Sequence, residues 1–346
     1  MRLVARNSSN KVLATADVVL PVSDEMACST CHASGSTAPG ALPSKLAHNP
    51  DPNKDYKLNI LQLHDDRHGT QLMARQPVLC ASCHGSNALG TTGSAKPLTQ
   101  VLHTKHATVI ETGAAATREA CYNCHPGSAT KCLRGAMGNA GMQCQNCHGS
   151  MAQVGASTRR GWLDEPGCEN CHTGTAVKNS GQILYTDAFA YPGGPLRQAA
   201  DPRFAVNTGK LYRLSTGHGK LACEACHGST HAEYPSSHTN DNLMVTRLQG
   251  HSGTLVECTA CHASSMTGIS GPHGMHPTGA AWADKHHDVV EKQGTAACRD
   301  CHGGDLKGTV LSAALADRTI STEHGTKTFA KGAIIGCWSC HNGPNP

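Results

Sequence analysis

A five-residue pattern, Cys-x-x-Cys-His, occurs nine times in this chain of 346 residues, far beyond what chance supplies. The copies are Cys28, Cys31 and His32; Cys80, Cys83 and His84; Cys121, Cys124 and His125; Cys144, Cys147 and His148; Cys168, Cys171 and His172; Cys223, Cys226 and His227; Cys258, Cys261 and His262; Cys298, Cys301 and His302; and Cys337, Cys340 and His341. Three of them crowd into residues 121–172. The pattern is the attachment site of a c-type haem, in which two thioethers hold the porphyrin and the adjacent histidine becomes the proximal iron ligand.

Nine c-type haems leave about 38 residues for each cofactor. With 3% aromatic residues and 37 glycines, the polypeptide has too few large apolar side chains for a conventional core. Burial of apolar surface still has to drive folding, so the porphyrins are expected to be that core. The fold class this implies is a multihaem cytochrome c: haem-packed, mostly coil with short α-helices, and little β structure. Eighteen of the 19 cysteines belong to the motifs, which excludes a disulfide framework. Cys132 is left over and reads as a small buried apolar residue or an idle thiol, with a redox or intermolecular role as the sharper alternative.

The formal net charge is +4. Eighteen haem propionates and nine ferric centres with neutral axial ligands move the oxidised holoprotein to about −5. Lysines and arginines that pair with propionates leave no basic patch for nucleic acid. No signal peptide is visible, and no apolar run is long enough to span a membrane. Because c-type haems are attached outside the cytoplasm, the chain is expected to be exported to the periplasm, outer surface or extracellular space, and Met1 is not expected to be its natural start.

Along the chain, residues 1–22 stand apart. Lys11 to Leu20 is β-branched and roughly alternating and is closed by Pro21, which predicts a strand or hairpin at about 10–22, the remnant of a preceding domain or a subunit contact. Residues 23–346 are expected to form a single interlocked nine-haem domain, with a weak boundary near 190–200 at Tyr191-Pro-Gly-Gly-Pro195. Asn59 to Gly69 reads as a short helix with Asn59 as N-cap and His64 and His68 on the face of Ile60 and Leu61. Pro97 opens a second helix running to Ile110, with His106 on its apolar face and His103 beside Ile110. Trp282 to Gln293 reads as a third, in which His286 shares a stripe with Trp282, Val289 and Val290 while His287 falls beside Asp284 and Glu291.

Twenty-three histidines less nine proximal ones leave fourteen, enough for a second histidine on every iron. The expected distal ligands are His64, His68, His106, His218, His231, His251, His273, His276 and His286, with His103 and His48 as first reserves; His238 and His324 read as solvated. No spare histidine lies between residues 107 and 217, where three motifs sit. Those central haems must borrow ligands from both ends of the chain, or else use Met137, Met142 or Met151, which would raise their potentials.

Asp55 to His64, Cys132-Leu-Arg-Gly-Ala-Met137, Gly217 to His227 and Gly271-Pro-His-Gly-Met-His276 resemble segments of the large multihaem c-type cytochromes of metal-reducing and related anaerobic bacteria. The resemblance covers residues from about 24 to the end. It implies close-packed haems, secretion, and extracellular electron transfer with other redox proteins or cytochromes and extracellular acceptors as partners. Some members of that group self-assemble into haem-lined filaments, a property no motif here carries. Electron transfer through the haem chain is the first functional expectation, with no catalytic residue. The alternative is a reductase of a small inorganic oxyanion or nitrogen compound with one open haem; the absence of any Cys-x-x-Cys-Lys variant weighs against it. Zinc clusters would want paired four-ligand spacings that this chain lacks.

Overall fold

The structure, a computed structural model, describes residues 1–20, 25–111, 117–127, 129–172, 187–198, 210–263, 271–277, 280–314, 317–322 and 325–343. Pro21, His324 and much of the 173–217 connection, including part of the expected 190–200 boundary, lie outside the described residues. Most of the described chain is coil and single turns. The α-helices among the described residues are short, some formed by the motifs and some between them: α1 (Ser29–His32), α2 (Pro52–His68), α3 (Leu98–Ala107), α4 (Arg118–Tyr122), α5 (Ala136–Asn139), α6 (Cys144–His148), α7 (Met151–Val154), α8 (Cys223–His227), α9 (Leu243–Gln249), α10 (Ala280–Gln293) and α11 (Ala296–His302).

The described sheet consists of three antiparallel pairs: β1 (Arg2–Arg6) with β2 (Val12–Asp17), β3 (Gly228–Ser229) with β4 (Ala232–Glu233), and β5 (Arg318–Thr322) with β6 (Gly325–Phe329). The N-terminal hairpin starts earlier than the alternation suggested, because Arg2 to Arg6 supplies the partner strand and Arg2 pairs its guanidinium with Asp17 at 2.8 Å.

The chain divides into two compact units, neither continuous in sequence. One comprises residues 20–132 and 143–164; the other comprises 1–19, 133–142 and 165–346.

In the first unit α2 begins at Pro52, earlier than the sequence reading placed it. Asp51 caps it by accepting the Asn53 N–H, and Gly69 ends it in the left-handed region at φ 64°. Asn59 is therefore not a cap. It is fully buried in the third turn of the helix, where its amide donates to His32 O at 2.9 Å and accepts from Ala47 N at 2.8 Å. One turn before it, Asp55 accepts from both the N–H and the hydroxyl of Ser34 at 2.7 Å. The buried face of α2 is thus polar, and it clamps the loop that follows the first motif.

In the second unit a buried ion pair performs a similar task. Arg134 meets Asp241 at 2.6 Å with both side chains under a tenth exposed, and the Arg134 N–H donates to His231 O. Side chains alone bury little apolar volume: Ala120, Met142, Ala188, Ala232, Val245, Leu306 and Ala314 are the buried apolar residues among those described.

Candidate haem-attachment and iron-ligand sites

Each Cys-x-x-Cys-His copy folds into one helical turn. The histidine N–H donates back to the carbonyl of the first cysteine at 2.9 Å in the motifs ending at His32, His84, His125 and His262, and at 2.7 Å at His172. The motifs at His148, His227 and His302 lie in α6, α8 and α11. Residues three and four apart share a face of such a turn, so both thiols and the imidazole project to the same side. None of the 19 cysteines is in a disulfide.

Opposite these turns stand other histidines. A metal ion bound by two imidazoles on opposite sides, with bonds of about 2.0 Å, holds the two ring centroids about 6.3 Å apart. In the first unit the separations are 6.4 Å for His32 and His106, 6.2 Å for His84 and His64, and 6.1 Å for His125 and His103. In the second they are 6.0 Å for His262 and His218, 5.9 Å for His227 and His273, 6.1 Å for His302 and His276, and 5.9 Å for His341 and His286. Seven attachment histidines therefore each face a spare histidine across a gap the width of a two-coordinated metal ion.

The ring nitrogens are sorted accordingly. Nδ1 is held by a backbone carbonyl in His32 (Ala41, 2.7 Å), His84 (Lys96, 2.7 Å), His103 (Thr99, 2.7 Å), His106 (Leu102, 2.7 Å), His276 (Pro277, 2.6 Å), His286 (Ala283, 2.9 Å) and His302 (Ile335, 2.9 Å). His64 uses the Thr70 hydroxyl at 2.8 Å, which is itself anchored on Asp65. A proton fixed on Nδ1 leaves the Nε2 lone pair for a metal, the arrangement of outer-shell partners around ligating histidines. Burial also disfavours the charged ring at several histidines of these sites: it holds His32, His103, His125, His172, His286 and His302 below the usual imidazole range and pushes His227 down to about 4. Neutral imidazole is the form that binds metal.

Two glycines make the carbonyl clamps reachable. A Cβ on Gly93 would stand 1.9 Å from Cys83 O, so only glycine lets the 85–96 loop return to put Lys96 O on His84. A Cβ on Gly336 would meet Leu306 O at 2.5 Å, where Cys337 N donates to that carbonyl and Ile335 O reaches His302.

His68 lies beside His64 at 4.8 Å between centroids, and His103 rather than His68 faces an attachment histidine. His251 turns Nδ1 to Ser252 O at 3.0 Å and has Nε2 3.5 Å from Glu257, which also pairs with Arg318. The His231 carbonyl accepts from Arg134 and Gly135. His48 has a left-handed backbone at φ 48°, and its N–H donates to Ser34 Oγ. His172 has His273 as the neighbouring charge that, after burial, depresses it. His287, which the helix stripe set apart, lies 5.3 Å from His341 between centroids.

The cysteines also show which motifs are neighbours. In the first unit the Cys121 thiol is raised foremost by its hydrogen bond to Cys144, and Cys124 is raised by burial and then by Cys28 and Cys31. In the second, burial pushes Cys168 up to about 11, with Cys223 among the contributing charges. Burial likewise raises Cys226 and Cys337, helped by Cys261 and Cys298 respectively.

Large apolar side chains flank the motifs and face outward: Leu79, Leu221, Met275, Ile334 and Trp338 are each at least 42% exposed. A flat apolar macrocycle tethered at the adjacent cysteines would cover them. Thiol pair, imidazole pair and apolar rim together fit a c-type haem. No protein-family model, curated protein or solved structure matches the chain.

Proposed function

We propose that this chain is an electron-transfer protein carrying nine c-type haems, and that its polypeptide serves to attach, close and space them. The observation that carries this reading is the set of opposed histidine pairs with centroids near 6 Å and Nδ1 engaged elsewhere. Each bound haem supplies a one-electron ferric/ferrous couple. The opposed histidines would hold the iron from both sides, which would oppose substrate binding and suit electron transfer. Where carbonyls clamp both rings, as in His32 with His106 and His276 with His302, little has to rearrange when charge changes.

The neighbouring cysteines and shared ligand elements give an order. In the first unit, α2 ties the His84 site to the first motif through His64 and Asn59. α3 bears His106 for the His32 site and His103 for the His125 site, and Cys121 touches Cys144 of the fourth motif. In the second unit the His227 site is a branch point. Cys168 and Cys261 lie beside its two cysteines, and His273 and His276 of one short loop join it to the His302 site, whose Cys298 neighbours Cys337. Electrons supplied by a redox partner can follow these lines to a second partner or an external acceptor. Among the described residues no helix is long and apolar enough to cross a membrane, which suits an exported carrier that works between other redox proteins.

The test is the visible spectrum of the reduced protein with and without carbon monoxide, together with a haem count. Nine haems per chain and an almost unchanged spectrum are expected. A strong carbon monoxide complex in the unmodified protein would favour a reductase, and a colourless protein would end the reading altogether.

A further inference from the structure

At the ninth motif two histidines compete for one position. His286 and His287 are adjacent in α10, and adjacent residues on a helix point about 100° apart. Yet both rings reach His341, at 5.9 Å and 5.3 Å between centroids, and the two rings lie 4.1 Å from each other. One nitrogen from each of the three residues falls within 4.8 Å of the others. His341 therefore stands over the seam between the two side chains, not over either one.

The two candidates differ in how they are held. His286 has Nδ1 on Ala283 O at 2.9 Å, and its ring lies 6.3 Å from Trp282. The His287 ring makes no side-chain hydrogen bond among the described residues; its ring contacts are His286 and His341. One ring is held by a carbonyl and the other only by ring contacts.

We propose that His287 is a second distal ligand of the His341 site, exchangeable with His286. The inference rests on the haem reading above. In the exchange one iron–nitrogen bond breaks and another forms, with no change in the number of protons or electrons. The two states are distinguishable because His286 lies 24° and His287 57° from the plane of His341. The His341 site thereby has two ligand arrangements, where the other pairs described have one.

Three variants of the haem-loaded protein test this: His286→Ala, His287→Ala and the double variant, each checked for nine haems per chain. His286→Ala is expected to stay low-spin and silent to carbon monoxide, with one electron paramagnetic resonance component moved to the signature of a more perpendicular ligand pair. The double variant is expected to open one iron in nine, seen as a carbon monoxide complex of about a ninth of the total haem. A carbon monoxide complex in His286→Ala alone overturns the proposal, as does a double variant that binds none. His287→Ala keeps the clamped ligand and tests the idea independently: it should abolish a minor low-spin component of the unmodified protein, and identical spectra overturn the exchange. Loss of haem from the unmodified protein would instead reject the haem reading itself.

Discussion

His103 faces His125 with ring centroids 6.1 Å apart and planes within 20° of parallel, although 22 positions separate them in sequence. The pair brings a ring from α3 to the first of the three central motifs, which have no spare histidine of their own. Replacing His103 by alanine is expected to open the His125 site and produce carbon monoxide binding at one iron in nine. His68→Ala, which removes a ring that stands beside His64, is expected to leave the spectrum unchanged. Reduced-minus-CO difference spectra of the two variants make the comparison.

Ring orientation divides the sites into two spectroscopic groups. His32 with His106 and His64 with His84 are near perpendicular, at 86° and 81°, whereas His276 with His302 is near parallel at 14°. Parallel rings split the two iron d orbitals that interact with the imidazoles, and perpendicular rings leave them nearly degenerate. Low-temperature electron paramagnetic resonance of the oxidised protein is expected to show both rhombic and large-g signals. His106→Ala should remove one of the large-g signals, and a spectrum with rhombic signals only would contradict the ring angles.

The ion pair of Arg134 and Asp241 is buried on both sides, with Ser236 Oγ also donating to Asp241. Removing one partner leaves a charge without compensation, a loss of about 3–5 kcal/mol. Asp241→Asn is expected to lower the unfolding free energy by that amount, measured by denaturant titration, and a double variant that also makes Arg134 neutral and apolar should recover part of it. Equal losses in single and double variants would mean the charges are not coupled.

Asp55 links pH to stability. Hydrogen bonds from the Ser34 hydroxyl and N–H, and then from Asn49, hold its carboxyl below the ordinary carboxylate range. A carboxylate with a depressed folded value contributes stability that is fully present above the unfolded value of about 3.9 and is lost as pH falls through the folded one. Acid titration should therefore unfold the clamp on the first motif below pH about 4, and Asp55→Asn should flatten that dependence. A variant with the same acid profile as the unmodified protein would remove Asp55 from the linkage.

Trp282 stacks on His276 with centroids 4.5 Å and planes 11° apart. Trp282→Leu is expected to keep nine haems but to shift the reduction potential of the His302 site, with Trp282→Phe intermediate. Redox titration followed by absorbance resolves this, and unchanged potentials in both variants would assign Trp282 to packing alone.

The motif turns and several of the facing histidines could be read from spacing because both depend on chemistry local to a few residues. His106, on the apolar stripe of α3, and His286, on that of α10, belong to this class. What could not be read depends on the return of distant loops. His64 and His68 share one face of α2 at i and i+4, and only the loop that brings Lys96 O onto His84 decides which of them meets that ring. Asn59 looked like a helix cap because asparagine is favoured at helix N-termini. Its burial against His32 O reflects a polar helix face that hydrophobic periodicity does not register. His287 was set aside on helical phase, which takes no account of a partner placed on the seam between two neighbours.

The three-residue interval between His103 and His106 has a mechanical consequence. Both rings are pinned to carbonyls of the same helix, Thr99 and Leu102, so the span between the His125 and His32 sites is set by peptide geometry, which is stiff, and not by side-chain packing, which is soft. On the proposed haem reading, thermal motion of α3 would carry the two irons together. The hop between them should then be nearly indifferent to solvent viscosity, while hops between sites that share no rigid element should slow as the medium thickens.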